Sequence, residues 1–140
     1  MLAVMLVLAP LQVGAEVDVP ERLPPDPKVD RYIEEIAGPI RSILVEIKSV
    51  SGAASRMQHV QVKGPIPVAD VIELVSFQVA SAKRYWEAPG EFEVMVIGDA
   101  RFARVKADHH CPSSCSPGTN YTYSHRNGKW ALHTAENWVQ

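Results

Sequence analysis

Tyr121–Thr134, YTYSHRNGKWALHT, is the stretch on which the fold turns. Asn127-Gly128 supplies two residues that tolerate positive φ, which the two-residue type I′ hairpin turn demands. A turn there pairs His125 with Trp130, Tyr123 with Leu132 and Tyr121 with Thr134. Successive strand residues point to opposite faces of a sheet. Tyr121, Tyr123, His125, Trp130, Leu132 and, further along, Trp138 therefore share an aromatic, apolar face. Thr122, Ser124, Arg126, Lys129 and His133 share the other, where His133 is expected in solvent. The aromatic face either meets the helices or lines a pocket, which makes Tyr121, Tyr123, His125 and Trp130 the candidate ligand-binding residues.

Upstream, Gly98-Asp99 reads as a second two-residue turn. It sets Ile97 opposite Ala100, Met95 opposite Phe102, Glu93 opposite Arg104 and Glu91 opposite Lys106. Two opposite-charge cross-strand pairs then support the register. Phe92, Val94, Val96, Ala103 and Val105 form the core-facing set. Before these strands, Gly64-Pro65-Ile66-Pro67 breaks the chain and Val68–Trp86 reads as the best helix. Its stripe holds Val71, Leu74, Val75, Gln78, Val79, Ala82 and Trp86, and Pro89-Gly90 ends it.

Residues 28–47 carry apolar side chains at Val29, Ile33, Ile36, Ile40, Ile43, Leu44 and Ile47, spaced as a helical stripe that Gly38-Pro39 interrupts. Asp26 or Pro27 can start that helix. The alternation of Val45, Ile47 and Ser49 with Glu46 and Lys48 equally suits a strand, hairpin-paired with His59–Val62. The reading favours helix to about residue 48. The expected fold class is α+β: one or two helices packed on a curved antiparallel sheet of about four strands.

Gly98-Asp99-Ala100 ahead of a strand, then Asn127-Gly128-Lys129-Trp130 and a closing Trp138, resemble the C-terminal half of nuclear-transport-factor-like domains of the cystatin-like superfold. The likeness covers residues 67–139. It implies a curved sheet wrapped around helices, often around a conical pocket. The first half departs from the family's helical arrangement, and no catalytic carboxylate of the family carries over to a residue of this chain.

Met1–Ala15, MLAVMLVLAPLQVGA, has no charged side chain, and its apolar run is too short to span a bilayer. Val13-Gly14-Ala15 places compact residues where a signal peptidase cuts. Residues 1–15 are thus expected to be a cleaved signal, with the protein secreted or periplasmic. Residues 16–27, holding Pro20, Pro24, Pro25 and Pro27, form a Pro-rich arm, and residues 28–140 a single domain. No later run reaches membrane-spanning length. The net charge of −2 hides an asymmetry: residues 16–100 sum to −5 and residues 101–140 to +3, the latter with four of the five histidines. A basic C-terminal sheet favours an anionic partner, unless the split is only a solvated face.

His109-His110-Cys111-Pro112-Ser113-Ser114-Cys115 falls between two strands. In an exported chain with two cysteines, a Cys111–Cys115 disulfide is the simplest reading. The alternative is a zinc or copper site from His109, His110, Cys111 and Cys115. The chain has no zinc-protease helix motif, nucleophile elbow, phosphate loop or dinucleotide fingerprint, and no basic-aromatic stripe for nucleic acid. No cofactor is implied. The resulting expectation is an exported, non-catalytic binding domain for a protein or small ligand, possibly of inhibitor or immunity type. A nuclear-transport-factor-like pocket enzyme with His125 or a carboxylate as base, or a metal-binding protein, are the alternatives.

Overall fold

In the computed structural model, which describes residues 20–48, 55–81, 91–110 and 118–138, the Pro-rich arm leads directly into the sheet. Strand β1 (Glu21–Arg22) precedes helix α1 (Pro27–Glu34). Strands β2 (Ile40–Lys48) and β3 (Ser55–Lys63), helix α2 (Val68–Ser81) and strands β4 (Glu91–Gly98), β5 (Phe102–His110), β6 (Gly118–Arg126) and β7 (Lys129–Trp138) follow. All seven strands form one sheet in the order β1-β7-β6-β5-β4-β3-β2. The proposed signal, Cys111, Cys115, Ala82 and Trp86 lie outside the described residues.

The four-stranded antiparallel sheet expected from the sequence is therefore overturned by a seven-stranded mixed one. Three causes account for the difference. First, the helical stripe of residues 28–47 is really two elements. Asp26 caps α1, its Oδ1 accepting from Lys28 N at 2.9 Å with Pro27 in the first turn. Only Val29 and Ile33 of the stripe are buried by that helix. After Gly38-Pro39 the chain is extended, and Ile43, Val45 and Ile47 point inward with period two, leaving Ile40 and Leu44 each 54% exposed. β2 pairs antiparallel with β3, Ile43 opposite Val60 and Val45 opposite Gln58. Second, β3, α2 and β4 make a crossover, so β3 and β4 pair in parallel, Val62 opposite Val96. Third, β1 adds a two-residue parallel edge to β7, with Arg22 opposite Leu132 and Leu23 N donating to Leu132 O at 2.8 Å.

The two hairpins meet the sequence reading in different ways. At Asn127-Gly128 both residues have positive φ, 53° and 77°. The pairs His125–Trp130 and Tyr123–Leu132 form as expected. One residue later the ladder slips: Thr122 faces Thr134 and Tyr121 faces Ala135 rather than Thr134, so His133 is the extra residue of a bulge. Between β4 and β5 every partner is displaced by four positions, Ile97 facing Arg104, Met95 Lys106, Glu93 Asp108 and Glu91 His110. The expected Glu–Arg and Glu–Lys pairs do not form. A displacement by an even number leaves each side chain on its face, so Phe92, Val94, Val96, Ala103 and Val105 are still buried together.

The helices lie on opposite faces. Asp30 and Tyr32 of α1 reach Arg104 and Phe102, even positions of β5. Gln78 of α2 donates to Thr119, whose neighbour across the ladder is Ala107, an odd position. The main core therefore lies under α2, where Val71, Leu74 and Val75 meet Val60, Val62, Val94, Val96 and Val105, with Tyr121, Tyr123, Trp130 and Leu132 at one end. Among the described residues no helix is long and apolar enough to cross a membrane.

Candidate functional site

The other face of the sheet carries the cleft. The N-terminal arm runs along β7 and α1 crosses β5, and between them an open cavity of about 520 Å³ remains. Small-molecule sites commonly have about 300–1,000 Å³. Phe102, Ser124 and His133 lie along its sheet side, Leu23, Val29 and Tyr32 along the arm and helix, with Asp26, Lys28, Arg101, His125 and Arg126 completing the lining.

Asp99 shapes one wall. Its Oδ1 accepts from Arg101 N at 2.8 Å and Phe102 N at 3.0 Å, folding the β4–β5 connection into a turn longer than two residues. Its Oδ2 accepts from the Tyr32 hydroxyl at 2.5 Å, tying α1 to that turn. Burial pushes the Asp99 pKa up, but the Tyr32, Arg101 and Phe102 hydrogen bonds, with the Arg101 charge, outweigh it and leave the carboxyl below its ordinary range. The bond to Asp99, with smaller contributions from desolvation and the Asp99 charge, raises the Tyr32 phenol. Tyr32 and Phe102 meet edge to face at 4.8 Å, and the Arg101 guanidinium stands 6.0 Å and 5.4 Å from their ring centres.

The floor holds a hydrogen-bonded chain. The His133 Nδ1 lies 2.7 Å from the Pro24 carbonyl oxygen, and its Nε2 lies 2.5 Å from Ser124 Oγ. A carbonyl only accepts, so Nδ1 carries the proton and donates to Pro24. In the neutral ring Nε2 is then the acceptor, and the Ser124 hydroxyl donates to it. The expectation that His133 is solvated is thus corrected. The bulge and the overlying arm leave His133 only 8% exposed, on the face shared with Ser124.

Of the four residues put forward from sequence, only His125 borders the cleft, and its ring turns to the opposite face, beside Trp130. It is half-buried at the end of β6, its ring 4.8 Å from that of Trp130. Tyr121, Tyr123 and Trp130 are buried in the core on the α2 side. Burial and then the neighbouring Tyr121 hold the Tyr123 phenol protonated far above its usual range. The Tyr123 hydroxyl and Trp130 Nε1 have no hydrogen-bond partner among the described residues. His109 is buried and stacks on Phe92 at 4.5 Å. Among the described residues no group of three His, Cys, Asp or Glu side chains is placed to hold a metal.

Sequence reasoning passed over Tyr32, Asp99, Arg101, Ser124 and His133 as site residues. The shared face of Ser124 and His133 was legible from the Asn127-Gly128 turn. The arm that closes over them has no periodic signal. No protein-family model, curated protein or solved structure matches the chain.

Proposed function

We propose that the protein is an exported binding domain whose cleft takes a small anion with an apolar or aromatic body. The charge of the lining supports this most directly. Lys28, Arg101 and Arg126 line the cavity, while the carboxylates beside it are engaged, Asp26 as the α1 cap and Asp99 by the Tyr32 hydroxyl and the turn amides. Leu23, Val29, Tyr32 and Phe102 supply apolar surface for the body of the ligand, the usual division of labour in a small-molecule site. Of the basic residues in 101–140, Arg101 and Arg126 stand at this opening.

Isothermal titration with benzoate and hexanoate, each beside its neutral amide, tests the reading. Saturable binding of the carboxylates is expected, weakened by salt and by Arg101→Ala or Arg126→Ala. Equal affinity for the amides, or no heat with either acid, would refute it.

A further inference from the structure

We infer that Ser124 is an acyl-accepting nucleophile activated by His133, giving the cleft hydrolytic activity toward small carboxylic esters. The inference rests on the cleft being a ligand site, and goes beyond binding. Three observations carry it. Ser124 Oγ and His133 Nε2 are 2.5 Å apart, in the direct hydrogen-bond contact that a nucleophile and its general base require. The Pro24 carbonyl, 2.7 Å from Nδ1, fixes the tautomer that leaves Nε2 free to take a proton, the orienting part that a third group plays in such constellations. Ser124 and His133 are both among the residues lining the cavity, 4% and 8% exposed, which sets the pair at its floor.

The chemistry closes without a further reagent except water. Ser124 Oγ bonds to the ester carbonyl carbon while its proton passes to His133 Nε2. The tetrahedral oxyanion forms in a cavity whose lining includes Arg101 and Arg126, whose positive charge favours it. Collapse breaks the bond to the alkoxy oxygen, which leaves as alcohol with the proton from Nε2. Water, deprotonated by the same nitrogen, then attacks the acyl-Ser124, and the returning proton restores the hydroxyl. Ester and water become alcohol and carboxylic acid, with no change in oxidation state. The acid leaves as the kind of anion that the cationic lining favours. Leu23, Val29, Tyr32 and Phe102 suit a short apolar acyl group.

The test uses the secreted protein with a fluorophosphonate probe and p-nitrophenyl butyrate. A single phosphonyl adduct mapped by mass spectrometry to Ser124 is expected, together with ester turnover. Turnover should fall at least about 100-fold in Ser124→Ala and in His133→Gln, the scale of a lost nucleophile or base, with both variants folded by circular dichroism. The butyrate pH profile should follow one titrating base in the wild type and lose it in His133→Gln. No adduct at Ser124, or turnover unchanged in Ser124→Ala, overturns the inference and makes the pair a clasp for the arm. Carboxylate binding without acylation would leave the binding reading standing alone. Acylation without a preference for carboxylates over amides would remove the binding reading and keep the nucleophile.

Discussion

His133→Ala should destabilise the protein although the position looks like plain surface in the sequence. The imidazole bridges the arm and the sheet through two hydrogen bonds, to Pro24 O at 2.7 Å and to Ser124 Oγ at 2.5 Å. Their losses are unequal. Pro24 is exposed, so its carbonyl recovers water and forfeits about 1 kcal/mol, the net value of a neutral hydrogen bond. Ser124 is 4% exposed, and a buried hydroxyl stripped of its partner costs about 1–3 kcal/mol. Together these give about 2–4 kcal/mol in urea unfolding of the variant beside wild type. The arm should also loosen, so the Leu23 amide, bonded to Leu132 O, should exchange faster with solvent. A change within about 0.5 kcal/mol, as for an exposed side chain, with Leu23 exchange unaltered, would refute the clasp.

Three further outcomes follow from the packing. Trp130→Ala should cost about 3–5 kcal/mol as a buried aromatic truncation. Trp130→Phe should stay within about 1 kcal/mol, because it also removes a buried N–H that has no partner among the described residues; urea midpoints of the two decide. Gly64→Ala should cost at least about 2 kcal/mol in thermal unfolding, since Gly64 has φ +99° and a Cβ there would meet the Gly98 carbonyl and lie 2.8 Å from Ile36 Cγ2. The Asp99 carboxyl has a lowered folded pKa, so its contribution is present above the ordinary aspartate value of 3.8 and lost as pH falls through the folded value. Urea midpoints should therefore drop as pH falls below the ordinary aspartate value, and Asp99→Asn should flatten that drop.

How far the sequence speaks can be judged from the two hairpins. Face assignment was legible in both because alternation has period two and survives any even displacement. The partners across β4 and β5 were not, because Asp99 folds the turn with its side chain and moves the register by four. Residues 40–47 misled for a related reason. Ile40, Ile43, Leu44 and Ile47 keep helical spacing, yet Gly38-Pro39 separates them from α1 and the β3 partner wins. The parallel neighbours β3–β4 and β1–β7 join residues distant in sequence and leave no local trace. For the site, the sequence located the face of Ser124, while the aromatic row of Tyr121, Tyr123 and Trp130 went to the core with the His125 ring beside it. What turned the opposite face into a cleft was an arm held by one backbone bond, a two-residue strand and His133.

The cleft itself is tested most directly by a heteronuclear NMR titration of the uniformly labelled protein with benzoate. Saturable amide shifts should cluster at Leu23, Lys28, Arg101, Phe102 and Ser124–Arg126, which line one cavity from four separate stretches of chain. Leu44 and Met57, exposed on the uncovered part of the sheet, should not move. Shifts centred on those two residues, or none at any benzoate concentration, would contradict the placement of the site.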